Sequence, residues 1–155
     1  MIEETIDIRT RDGACTTFIV RPDRGGPFPP VLFFMDAPAI REELRYMARR
    51  LASAGYYVLL PNLYYRSGVM ELGPIDMAPE SNWRKRMFDL MSSLDIEKVM
   101  SDTDALVAHI DTQAAAKQGP IGAMGYCMSG QYAISAAARF PDRVKAAASL
   151  YGVSL

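Results

Sequence analysis

Gly125-Tyr126-Cys127-Met128-Ser129-Gly130 decides how this chain is read, because it falls between the apolar run Pro120–Met124 and a small-residue segment, Gln131–Arg139, that reads as helix. Strand, tight turn and helix, with a small residue two positions to either side of a nucleophile, form a strained elbow that lifts one side chain above the sheet edge. Here the small flanks are Gly125 and Ser129 and the raised side chain is Cys127. Small flanks are needed because the nucleophile adopts an unfavourable φ/ψ while strand and helix crowd together beside it. A thiol at a helix N-terminus also meets the positive end of the helix dipole, which favours the thiolate. The competing reading is a packed core cysteine, the usual fate of a lone Cys. The strand-elbow-helix context favours the nucleophile.

Upstream, Ile6 and Ile8 alternate with polar residues across Ile2–Thr10, Arg11-Asp12-Gly13 supplies a turn, and Thr16–Val20 resumes with β-branched and aromatic residues. An antiparallel hairpin is expected there. Pro22–Pro30, rich in Gly and Pro, is a connection. Val31–Met35 is continuously apolar, as for a strand covered on both faces. After Asp36-Ala37-Pro38, Leu44, Met47, Ala48 and Leu51 recur at helical spacing, with Glu42 and Glu43 at the start and Gly55 as the stop. Tyr56–Leu60 is the next buried strand, which completes a βαβ unit of right-handed crossover.

Asn62–Asn82 carries Gly68, Gly73, Pro74 and Pro79 and reads as a long loop at the edge of the sheet where ligands bind. Trp83–Met91 forms a short helix, and Ile96, Val99, Met100, Thr103, Val107 and Ile110 mark one face of a longer one. Ser92 or Ser93 is its expected cap, with Asp95 and Glu97 favouring its first turn. Beyond the elbow comes an Ala-rich helix, stopped by Pro141, and a strand at Val144–Leu150. The fold class is α/β: one domain over residues 1–155, a mostly parallel sheet with helices on both faces and an N-terminal antiparallel hairpin.

Composition narrows the partners. With 155 residues, half of them hydrophobic, the chain can bury a substantial core. Seventeen basic against 18 acidic residues, a net charge of −1, give no reason to expect nucleic acid or an anionic membrane. The only cysteine besides the elbow thiol is Cys15, in an apolar alternation that reads as packed strand, so no disulfide framework is expected. Met1-Ile2-Glu3-Glu4 does not resemble a signal peptide and no apolar run approaches a bilayer span. The expectation is a soluble, cytoplasmic protein.

A cysteine nucleophile that attacks a carbonyl also needs a base, a group to orient it, and donors for the oxyanion. The single histidine, His109, precedes Cys127 and lies in a helix beside Ala105, Leu106 and Ile110, where a structural or surface role is expected. Asp142, the only carboxylate after the elbow, sits in a turn expected at the opposite end of the sheet. The backbone N–H of Met128, the residue after the nucleophile, fits an oxyanion donor, and the loop after Val31–Met35 is where a second is sought.

At Gly125–Gly130 the chain resembles the dienelactone hydrolase family of α/β-hydrolases, and the resemblance extends through Met35–Pro38 and Gly55–Tyr64. It implies that the second donor is the N–H of Ala37. It also implies that the acid and histidine follow two further strands, so that residues 1–155 are the N-terminal part of the enzyme and the C-terminal part is absent. A sheet ending at Val144–Leu150 would expose an apolar strand edge, which proteins normally cover.

Three further positions match functional residues of the family. Asp36 falls where an acidic residue contacts the resting thiol, against the alternative of loop capping. Arg84 falls where an arginine binds the substrate carboxylate, against the alternative that Arg84-Lys85-Arg86 is a solvated face. Phe88 stands where dienelactone-binding members carry Tyr. The implied function is hydrolysis of a small ester or lactone through a Cys127 acyl-enzyme, with no metal or organic cofactor. The rivals are a broad carboxylesterase or thioesterase, and a non-catalytic binding or assembly module. The sequence leaves the oligomeric state open.

Overall fold

The computed structural model describes residues 1–155. Six strands form one sheet: β1 (Ile2–Thr10), β2 (Gly13–Arg21), β3 (Pro30–Phe34), β4 (Tyr57–Pro61), β5 (Ile121–Tyr126) and β6 (Val144–Leu150), in the order β1-β2-β4-β3-β5-β6. Strands β4, β3, β5 and β6 run parallel, and the β1–β2 hairpin joins β4 antiparallel. The helices are α1 (Glu42–Ser53), α2 (Asn82–Ser92), α3 (Ile96–Asp111) and α4 (Gly130–Arg139). None of them is long and apolar enough to cross a membrane.

The unbroken apolar runs behave as expected of central parallel strands. All five residues of β3 and all five of β4 are buried. On the hairpin, consecutive residues report the two faces of the sheet. Glu3 pairs with Arg49 of α1, whereas the charge of Glu4 acts on His109 of α3, the helix that packs on β1. Since successive side chains of a strand point to opposite faces, α1 and α3 lie on opposite sides, and α4 packs beside α3. Gly55, just past α1, has φ 99°, the left-handed conformation of a C′ stop.

Two local expectations are corrected. The cap of α3 is Asp95 rather than Ser92 or Ser93: its extended backbone presents the carboxylate to the Lys98 N–H at 2.8 Å. Ser93 instead turns its hydroxyl back to the Leu90 carbonyl at 2.6 Å and closes α2. The Asn62–Asn82 connection also holds a one-turn 3-10 segment, Tyr65–Ser67, pinned by side chains described below. Cys15 is fully buried in β2, and burial pushes its thiol up to about 12.

Strand β6 is the sheet's outer edge on the β5 side, and Ala146, Ala147 and Ala148 on it are exposed. Beside them Val31, Leu51, Tyr56 and Met124 line an apolar groove next to α1.

Candidate active site

The elbow forms where β5 ends at Tyr126 and the chain turns through a 3-10 segment, Cys127–Ser129, into α4. Cys127 has φ 53°, a conformation that costs a non-glycine residue of order 1–3 kcal/mol and persists only where surrounding contacts enforce it. Those contacts are specific. A Cβ on Gly125 would overlap the Ser129 carbonyl, standing 2.5 Å from its carbon, and one on Gly130 would stand 2.6 Å from the Gly152 Cα. The buried Ser129 hydroxyl donates to the Met35 carbonyl at the end of β3, and the Val153 N–H donates to the Cys127 carbonyl at 3.3 Å. Within this frame Cys127 is half-buried and unpaired with any other cysteine.

The loop after β3 runs beside the elbow. Ala37 is 3% exposed, and its N–H donates to no acceptor in the chain. Two neighbouring carbonyls are held: that of Asp36 accepts from the Ala39 N–H at 3.3 Å, and that of Ala37 accepts from the Tyr64 hydroxyl at 2.9 Å. The Asp36 carboxylate is turned to Arg41, whose two terminal nitrogens donate to it at 2.6 and 2.9 Å. It makes no hydrogen bond to Cys127 and caps no loop N–H. Pairing with Asp36 keeps the Arg41 guanidinium firmly charged.

Arg84 and Phe88 lie one turn apart on α2, with the guanidinium carbon 5.6 Å from the Phe88 ring centre. Arg84 has no acidic partner in the chain, unlike its neighbour Lys85, which pairs with Asp89 at 2.7 Å. Phe88 is exposed, and neither residue is hydrogen-bonded to the elbow.

His109 stands far from the thiol. The charge of Glu4 acts on it from β1, four strand positions from β5, a separation of roughly 19 Å at ordinary strand spacing. Burial lowers its pKa, and its Nε2 is buried without a partner. Asp142 is exposed in the turn before β6, at the end of the sheet opposite the elbow. No group of three or more His, Cys, Asp or Glu side chains is placed to hold a metal ion.

Sequence reasoning missed three participants. Ser129 was expected only as a small flank, yet its hydroxyl latches the elbow to β3. Tyr64 and Arg41 were not singled out, and only their polar ends within apolar or loop context marked them.

Residues 15–155 match the sequence model of the dienelactone hydrolase family. A Methylorubrum extorquens protein provisionally named carboxymethylenebutenolidase is 32% identical over 152 residues, 98% of this chain and 50% of that protein. The carboxymethylenebutenolidase of Pseudomonas putida is 27% identical over 157 residues, 100% of this chain and 63% of that protein. The chain thus spans about half the length of the first of these relatives and less than two thirds of the second. A Klebsiella pneumoniae crystal structure provisionally titled dienelactone hydrolase shares the fold, with a TM-score of 0.84 at 24% identity over 99% of this chain and 61% of that one.

Proposed function

The chain belongs to the dienelactone hydrolase family, and from that premise we propose that the protein hydrolyses a small ester or lactone with Cys127 as nucleophile. The observation that carries the proposal is Cys127 itself: a half-buried thiol at φ 53°, between the end of a central parallel strand and the start of a helix.

In the proposed reaction, the Cys127 sulfur attacks the substrate carbonyl carbon, a carbon–sulfur bond forms, and the carbonyl π pair moves onto oxygen. The N–H groups of Ala37 and Met128 receive that oxyanion. Collapse expels the alkoxide, which takes up a proton, and leaves a thioester. Water then attacks the thioester, releases the acid and restores the thiol. His109 and Asp142 stand too far from Cys127 to serve it, so the proposal takes the general base from outside residues 1–155, in keeping with relatives of greater length. No step calls for a metal or organic cofactor. The resemblance that casts Asp36 as a thiol contact has to reckon with Arg41, which already occupies both carboxylate oxygens.

Turnover of p-nitrophenyl acetate by the protein and by Cys127→Ala tests the proposal. Loss of turnover in a variant that still melts cooperatively is the expected result, and undiminished turnover removes Cys127 from the mechanism.

Phe88 favours a second reading, a carboxylesterase or thioesterase without lactone preference, because its ring offers no hydroxyl to an anionic lactone. The unpaired Arg84 favours an anionic substrate. Comparing an anionic lactone with a neutral ester separates the two: selective loss of the lactone in Arg84→Ala supports the first reading, and equal rates in both proteins support the second.

A further inference from the structure

We propose that Tyr64 is a positioning residue for acyl transfer at Cys127, holding the Ala37 N–H in the orientation that receives the oxyanion. The inference rests on the reading of Cys127 as the nucleophile.

Tyr64 is 1% exposed and lies just after β4. Its hydroxyl reaches both residues assigned to the oxyanion, one through backbone and one through its side chain: it donates to the Ala37 carbonyl at 2.9 Å and stands 3.5 Å from the Met128 sulfur. Ala37 is consequently held on both sides. The peptide that bears its N–H is tied through the Asp36 carbonyl to the Ala39 N–H at 3.3 Å, and the following peptide is tied through the Ala37 carbonyl to Tyr64. With both peptide planes fixed, φ and ψ of Ala37 are fixed too, and its N–H has one direction. That buried N–H donates to nothing in the chain. Buried backbone donors are nearly always paired, so one left over beside a strained thiol calls for an acceptor.

Tyr64 is itself well anchored. Its N–H donates to the Asn62 side-chain oxygen at 3.1 Å. The next two residues grip the buried Asp102 carboxylate: the Tyr65 hydroxyl donates at 2.8 Å, and Arg66 donates through two nitrogens at 2.8 Å each. Burial raises the pKa of the Tyr64 phenol, which keeps it a neutral donor. The role moves no proton and breaks no bond at Tyr64. An oxyanion donor acts only when aimed at the place where charge develops, and a misplacement of about 1 Å costs about 100-fold in rate.

Two reactions of the same thiol isolate the effect. Acetylation by p-nitrophenyl acetate develops an oxyanion, whereas alkylation by iodoacetamide is displacement at a saturated carbon and places no charge on an oxygen held by Ala37. Both are followed under single-turnover conditions, with the modified residue located by mass spectrometry. In Tyr64→Phe the acetylation rate at Cys127 is expected to fall about 10- to 100-fold, with alkylation unchanged within about twofold. Ala37→Gly, which leaves the Tyr64 hydroxyl in place but loosens the same φ and ψ, is expected to show the same selective loss and serves if Tyr64→Phe fails to fold. Parallel loss of both reactions, or unchanged acetylation in both variants, overturns the inference. A wild-type protein that iodoacetamide labels at Cys127 but p-nitrophenyl acetate does not acetylate there overturns the nucleophile reading, and the inference with it.

Discussion

Gly125 lies directly beneath Ser129, so close that a Cβ on the glycine would overlap the serine carbonyl. Strand and helix approach each other at the elbow through backbone alone, and no flexible side chain is available to give way. Gly125→Ala is therefore expected to cost about 2–3 kcal/mol, read as a lowered urea midpoint. Gly122, in the same strand, is the control: a Cβ there would meet the Val31 Cγ2 at 3.5 Å and the Pro30 carbonyl oxygen at 3.9 Å, both ordinary contacts. Gly122→Ala should change stability by no more than about 1 kcal/mol.

Arg66 has two acidic partners in very different surroundings. Asp102 is 1% exposed, and burial pushes its carboxyl up despite the guanidinium beside it, whereas Asp12 is 32% exposed at its side chain. Removing the cation with Arg66→Met leaves the buried carboxylate uncompensated and is expected to cost about 3–5 kcal/mol. Asp12→Asn should leave stability close to that of the wild type, because water replaces the lost partner. Chemical denaturation of the two variants side by side makes the comparison.

Tyr57 is 1% exposed at the start of β4, and its hydroxyl is buried without a partner. The ring contributes to the core while the oxygen has lost its water for nothing in return. Tyr57→Phe is expected to be neutral or to stabilise by about 1 kcal/mol, raising Tm by roughly 2–4 °C. A fall in Tm would show that the hydroxyl has a partner after all.

His109 gives stability a dependence on pH near neutrality. Burial depresses its folded-state pKa below the ordinary 6.5, although Glu4 pulls the other way. The unfolded chain thus takes up a proton first as pH falls. The fold is fully stable with respect to this group above pH 6.5, loses stability as pH drops toward the depressed value, and levels off below it. Subtracting the stability of His109→Gln from that of the wild type across pH 8 to 5 should give a curve that declines with falling pH, and a flat difference would refute it.

The elements that could be read ahead of the structure share a local signature. Unbroken apolar runs announced β3 and β4, alternation announced the hairpin, and Gly125 with Ser129 around Cys127 announced the elbow. What escaped notice has no period. The Asp36–Arg41 pair, the Ser129–Met35 latch and the Tyr64–Ala37 bond each depend on where a side chain's polar end arrives after the chain has folded. The Tyr64-Tyr65-Arg66 stretch looked like plain loop because its contacts run outward to Ala37, Thr10 and Asp102 instead of to residues three or four positions away. Even the cap of α3 turned on a competition between neighbours, decided when Ser93 closed the preceding helix and left Asp95 to open the next.

The latch between Met35 and Ser129 joins residues 94 positions apart. A ribosome releases Met35 long before it adds Ser129, and β3 waits for β5 over the same interval. The full set of contacts around Cys127 is in place only after that closure, so its left-handed conformation at φ 53° is completed in the last stages of assembly. During synthesis the nascent chain carries an ordinary cysteine, and it becomes an elbow only when the two distant segments meet.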